Sequence, residues 1–251
     1  MLIDPMIEIS HLSVTLGGKR RVDDLSMTVQ RGSFHGLLGP NGAGKTTVLR
    51  TLYRAQNPDT GDVYINGTAI DAWAQADWTR TVGALVQEGG SLQGLTIRDV
   101  VDIGLMHLPL SPAARAACAN DALALAGLTE LTDMEAALVS GGERQRTHIA
   151  QVLARDPDLY ILDEPSNHLD LCYQILLLDE IRRRGKTVIA TFHDLSLAAR
   201  YCDTVTLMRD GKGVATGTPD AVLTRDNLRD VFRVNGVLQD GALHIEGAIR
   251  V

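Results

Sequence analysis

The run Gly39-Pro-Asn-Gly-Ala-Gly-Lys45-Thr46, followed by Thr47, carries the residue types needed to grip a chain of phosphates. Glycines let the backbone curl so that successive N–H groups and a helix N-terminus point at negative charge. Lys45 can reach the outer phosphates, and the Thr46 hydroxyl can ligate Mg²⁺. A second chemistry stands at Asp163-Glu164-Pro165, after the apolar Leu159-Tyr-Ile-Leu162. Asp163 is placed to hold Mg²⁺ directly or through water, and Glu164, one residue on, can polarise an attacking water. Between them, Ser140-Gly141-Gly142 opens a helix-period segment, where serine and glycine N–H groups form a further anion site. Gln87 closes an expected strand, and His193 follows another in Thr191-Phe-His-Asp-Leu195. Together these residues predict binding of a nucleoside triphosphate and attack by water on it.

The elements that must position this chemistry follow from periodicity. Residues 33–38 are short and mostly apolar, as expected of a buried strand, and 46–53 read as the helix after the loop. From Ile7 to Val29, apolar and polar residues alternate around Gly17-Gly18, which predicts an antiparallel hairpin. Strands are expected at 62–65 and 82–86. The texture changes from Glu88 to Leu138, an alanine-rich stretch with helical spacing, punctuated by Gly89-Gly90, Pro109 and Pro112, with its clearest helix at 113–126. Strand and helix then alternate: helices at 142–154, 170–184 and Leu195–Tyr201, strands at Leu159–Leu162 and Thr187–Thr191. Such alternation implies an α/β fold with a mostly parallel sheet covered by helices. A last small hairpin is expected after Gly236.

Composition narrows the class. Hydrophobic residues make up 45% and charged residues 22% of 251, an ordinary soluble globular balance. A net charge of −7 and only 4% aromatics argue against a nucleic-acid partner, whose footprint would be basic and rich in stacking platforms. Cys118, Cys172 and Cys202 are odd in number and widely spaced, so they read as reduced packing residues. The opening residues lack the basic stretch and long apolar run expected of a signal peptide, and no uncharged apolar run approaches the ~20 residues of a membrane span. Any membrane role is therefore expected to be peripheral. His107, His168 and His193 lack metal-ligand spacing.

With these motifs in this order, the chain resembles the ATP-binding cassette (ABC) ATPases, the nucleotide-binding subunits of membrane transporters. The order is phosphate loop, glutamine loop at Gln87, signature at Val139-Ser140-Gly141-Gly142, acidic strand, Ser166-Asn-His-Leu-Asp170 and switch histidine His193. The resemblance spans nearly the whole chain. It implies a RecA-like P-loop core with a mostly parallel sheet, an N-terminal antiparallel β subdomain and an inserted helical subdomain. One ABC ATPase domain would then occupy 1–251, with a core at 1–87 and 139–235, a helical subdomain at 88–138 and a tail at 236–251. It further implies ATP contacts from Gly39, Pro40, Asn41, Gly42, Ala43, Gly44, Lys45, Thr46 and Thr47. Mg²⁺ would be held by Thr46, Gln87 and Asp163, and catalysis carried by Glu164, His193, Gln87 and Lys45. Leu16 stands where the family usually has an aromatic residue against adenine, so apolar contact is kept and π-stacking lost.

By the same resemblance, Ser140, Gly141, Gly142 and Asp170 act in trans, on ATP held by a second copy in a head-to-tail sandwich. Polytopic permease subunits, and indirectly a substrate-binding protein, are the other implied partners, at the cytoplasmic face of the cell membrane. Asp163-Glu-Pro-Ser-Asn-His168-Leu-Asp170, with His193-Asp-Leu-Ser-Leu-Ala-Ala-Arg-Tyr201-Cys202-Asp203, is similar to the importers of iron–siderophore, haem and cobalamin. An ABC exporter shares every catalytic motif and stays open as an alternative. So does a soluble ABC ATPase acting on ribosomes or DNA, although such relatives usually carry two cassettes or long inserted arms.

Overall fold

Buried Ile7 and Ile9, and beyond an irregularity at His11 buried Leu12 and Val14, anchor β1 (Pro5–Leu16), which turns through Gly17-Gly18 into β2 (Lys19–Gln30). The computed structural model describes residues 4–86, 91–239 and 241–249. All five residues of β3 (Phe34–Leu38) are buried, and the phosphate loop joins this strand to α1 (Lys45–Leu52). β4 (Thr60–Ile65) pairs antiparallel with β1, and β5 (Thr68–Ala69) completes a sheet of order β2-β1-β4-β5. The expected N-terminal hairpin thus forms one side of a four-stranded antiparallel sheet, with β2 at its edge.

The chain forms two compact units, Met1–Trp73 with Gly185–Val251, and Ala74–Arg184. In the second unit, α2 (Gln75–Thr81) leads into β6 (Val82–Leu85), followed by α3 (Ile97–Leu105), α4 (Pro112–Leu125) and α5 (Gly141–Arg155). β7 (Leu159–Leu162), buried throughout, and α6 (Leu171–Arg183) end this unit. β6 and β7 are parallel partners, with Leu85 opposite Leu162. α3 and α4 pack on α5. Thr96 caps α3 in a reciprocal box with Asp99, and Ser111 caps α4 just before Pro112, so each helix start is written locally.

The first unit resumes with β8 (Thr187–Thr191), α7 (Leu195–Tyr201), β9 (Thr204–Arg209) and β10 (Lys212–Gly217). β8 and β9 flank β3, both parallel to it, while β10 returns antiparallel on β9. Short helices α8 (Pro219–Val222) and α9 (Arg225–Asn227) lead to the hairpin of β11 (Val234–Gln239) and β12 (Ala242–Ala248). The α/β architecture with mostly parallel central strands matches the expectation. The tail hairpin begins at Val234 rather than after Gly236, and periodicity did not reveal α2 or the β9–β10 hairpin.

Below the phosphate loop, His35 is fully buried in β3. Its Nδ1 lies 2.8 Å from Thr204 Oγ1 and its Nε2 lies 3.0 Å from Thr206 Oγ1. Burial pushes its pKa down to about 4. Because the neutral ring is the native form, this site stabilises the fold fully above the unfolded value near 6.5. That contribution fades as pH falls from 6.5 towards 4, by up to about 3 kcal/mol. Urea unfolding at pH 7.5 and 4.5 is expected to show this loss in the wild type and a flatter dependence in His35→Gln. Equal slopes in the two proteins would assign the acid sensitivity elsewhere.

Candidate functional site: a phosphate loop and an acidic strand end

The phosphate loop takes its shape from backbone that only glycine tolerates. Gly39, Gly42 and Gly44 have φ of 145°, 80° and 104°. A Cβ at Gly39 would lie 2.2 Å from Met208 O, and one at Gly44 would lie 2.4 Å from Arg21 O. Gly211, at the β9–β10 turn, donates its amide to Ala43 O at 3.0 Å and accepts from Asp23 N at 2.9 Å. The loop is therefore pressed between β2 and the β9–β10 hairpin. Lys45, 6% exposed, donates from Nζ to Gly39 O at 2.7 Å and to Pro40 O at 3.1 Å. Its ammonium thus sits across the mouth of the loop. Helix α1 has no side-chain cap hydrogen bond and no acid in its first turn, so its N-terminal dipole is unopposed by its own residues. Thr46 is half-buried and Thr47 buried at this helix start.

Parallel strands carry other residues to the same edge of this unit. Leu37 of β3 stands opposite Thr191 of β8, and Phe192 N donates to Leu37 O at 3.4 Å. His193 therefore leaves the sheet at the end where Gly39 begins the loop, and its side chain is exposed. The adjacent Asp194 caps α7 by accepting from Ser196 N and Leu197 N. Leu16, half-buried, pairs with Lys19 at the tip of the β1–β2 hairpin, close in sequence to the Arg21 carbonyl that touches Gly44. Val22 is fully buried in the core, and Arg20 is held by Asp23 at 2.9 Å, so Leu16 is the apolar surface this tip offers.

In the second unit, Asp163 N donates to Leu85 O at 3.0 Å, extending the β6–β7 pairing by one step. The Asp163 side chain is 2% exposed. Glu164 follows in left-handed backbone, φ 50°, and its carboxylate accepts from Asn167 Nδ2. A non-glycine residue there costs roughly 1–3 kcal/mol, the kind of strain that collects at functional positions. His168, φ 62°, repeats it four residues on. The intervening segment is fastened by Gln174 Nε2, which donates to Ser166 O at 3.0 Å and Leu169 O at 2.9 Å. Asp170 then caps α6, its Oδ1 accepting from Tyr173 N at 3.0 Å. Gln87 lies outside the described residues.

Ser140 caps α5 with Gly141 and Gly142 in the first turn. Its amide and hydroxyl both donate to Glu143 Oε2, at 2.8 and 2.6 Å, while Glu143 N donates back to Ser140 Oγ at 3.3 Å. The hydroxyl first, then the amide, hold the Glu143 carboxyl below its ordinary pKa. An anion thus already sits at the start of this helix, supplied by the chain itself. The spacing Ser-x-x-Glu is the signal that could have found it. Gly142 also faces the 164–170 segment, since a Cβ there would lie 3.0 Å from His168 O. Missing too from the sequence reading were Arg21, Met208 and Gly211, although Asp210-Gly211 between two apolar runs is a strong hairpin signal.

Comparison with known proteins adds to this geometry. The ABC transporter family model matches residues 22–167. The hemin import ATP-binding protein HmuV of Shewanella denitrificans is 34% identical over 250 residues, covering 95% of this chain and 98% of the relative. The ferric enterobactin transport ATP-binding protein FepC of Escherichia coli is 35% identical over 237 residues, covering 90% and 88%. A solved ATP-binding subunit of an ABC transporter superposes with a TM-score of 0.80 at 26% identity, over 90% of this chain and 95% of that one.

Proposed function

Because the chain belongs to the ABC transporter family, we propose that it is the ATP-hydrolysing subunit of an importer for a ferric siderophore, haem or a cobalamin-type ligand. The observation that supports the ATPase reading is the phosphate loop, folded by its three positive-φ glycines with the Lys45 ammonium across its mouth. In this reading residues 39–47 bind the triphosphate and Leu16 lies against the base. Glu164 orients the attacking water, and His193 holds the γ-phosphate, with Gln87 sensing both water and metal. The core spans 1–87 and 139–235, the helical subdomain 88–138 and the tail 236–251.

The Thr46 hydroxyl and the buried Asp163 carboxylate are hard oxygen donors of the kind Mg²⁺ takes, and they are assigned to it with Gln87. Bound with ATP, Mg²⁺ would neutralise phosphate charge and polarise the bond that water breaks. Ser140, Gly141, Gly142 and Asp170 are assigned to nucleotide held by a second copy, arranged head to tail. No helix among the described residues is long and apolar enough to cross a membrane. The reading places this subunit at the cytoplasmic face and gives the crossing to separate permease subunits, which receive their ligand from a binding protein.

Mixing two silent variants tests the composite site. Lys45→Ala spoils the phosphate loop and Ser140→Arg spoils the site offered in trans. A head-to-tail pair of the two keeps one site intact, so turnover is expected to return on mixing, and wild-type turnover per subunit to rise with concentration. Turnover per subunit that is independent of concentration, with no recovery on mixing, would overturn the arrangement. For the transported ligand, a strain lacking this chain is expected to lose uptake of ferric siderophore, haem or cobalamin; full uptake of all three would overturn the import reading.

A further inference from the structure

Arg146 lies on the second turn of α5, the helix that Ser140 caps. Its Nη1 donates to Ala126 O at 3.1 Å and to Gly127 O at 3.4 Å, the carbonyls just past α4. Its guanidinium also lies over the ring of Tyr173, 4.1 Å from the centroid. Tyr173 is in the first turn of α6, and its amide is the one that Asp170 caps. Gly127, φ 64°, completes the junction, since a Cβ there would lie 2.4 Å from the Tyr173 hydroxyl oxygen and 3.1 Å from Arg146 Nη1. One guanidinium therefore touches the end of α4, the helix headed by Ser140 and the helix headed by Asp170.

Beside this junction the three helices do not close on one another. A cavity of about 250 Å³ opens there, walled by Leu125, Ile149, Leu153, Leu169, Leu176 and Leu177. α4 packs on α5, but apolar contact leaves the spacing of α6 from these two helices loosely set at this point. The planar fork on the α4 carbonyls and its stacking on Tyr173 set it instead, a geometry that a lysine ammonium cannot reproduce.

We propose that Arg146 is a positioning residue that holds the end of α4, Ser140 and Asp170 as one block. A displacement of the helical segment then reaches Ser140 and Asp170 together, and both meet the second copy's nucleotide in the same motion. The catalytic part of this inference rests on the head-to-tail reading above, whereas the block itself does not.

The test compares Arg146→Lys, Tyr173→Leu, Tyr173→Phe and the double variant Arg146→Lys/Tyr173→Leu in the full chain. Amide hydrogen exchange at 126–128, 140–144 and 168–173 reports the block without reference to activity. Arg146→Lys and Tyr173→Leu are each expected to speed exchange in all three segments. Each should also lower kcat about tenfold, a typical size for coupled neighbours, with ATP affinity at the phosphate loop unchanged. The double variant should be no worse than the more damaged single one, and Tyr173→Phe, which keeps the ring, should behave as wild type. Faster exchange confined to the substituted helix, an unchanged kcat, or multiplying losses in the double variant would overturn the proposal. If wild type itself turned over no ATP, the proposed function would fall, and the exchange pattern would still decide whether the block exists.

Discussion

Glu164→Gln is expected to leave ATP binding intact while lowering turnover by ~10²–10⁴-fold, the usual contribution of a positioned general base. The structure makes this a clean substitution. The carboxylate accepts from Asn167 Nδ2, and a glutamine carbonyl oxygen can accept the same bond. The left-handed backbone, φ 50°, is no harder for glutamine than for glutamate. Asp163, the residue assigned to the metal, is a separate side chain buried at the strand end. What the change removes is the charge that, in the proposed reading, draws a proton from water. The variant should therefore accumulate as an ATP-bound dimer, seen by light scattering with ATP and Mg²⁺. Retention of more than about a tenth of wild-type turnover would be incompatible with a base in this position.

Lys45→Ala should show the opposite pattern, with affinity lost first. Hydrogen bonds to charged groups contribute ~1.5–3 kcal/mol, which corresponds to roughly 10- to 150-fold in binding. The Lys45 ammonium has a second use, because it donates to Gly39 O and Pro40 O and so ties the helix end of the loop to its strand end. Alanine loses both the charge and this brace, which places the expected loss at the upper end of the range. Equilibrium titration with a non-hydrolysable ATP analogue measures it. Wild-type affinity in Lys45→Ala would show that the loop grips phosphate without its lysine.

The parts that were legible in the sequence are those written in neighbouring residues. β7 and β8 fall where apolar runs stand, and α7 where helical spacing stands, because burial on both faces or one face leaves a local pattern. The glycines of the phosphate loop were readable because their spacing reflects backbone that side chains forbid. What was not legible depends on residues far apart in the chain. Nothing near Gly39 or Gly44 announces that Met208 O and Arg21 O lie against them. Arg146 likewise reads as one more polar residue on a helix, until the fold brings Ala126 and Tyr173 to it. Glu143 is an intermediate case: its capping box is local, but its consequence, a resident carboxylate at Ser140, appears only in three dimensions.

The floor beneath the phosphate loop also sets a clock on the newborn chain. Gly44 leaves the ribosome roughly 170 residues ahead of Gly211, whose amide closes on Ala43 O. At ~5–20 residues per second, that gap is on the order of ten to thirty seconds. Throughout it, the nascent protein carries every letter of its nucleotide grip without the surface that gives those letters a shape. The loop therefore gains its floor only once β10 has emerged, and a chain cut short before β10 is expected to bind nucleotide more weakly than one that carries it, which the same analogue titration measures.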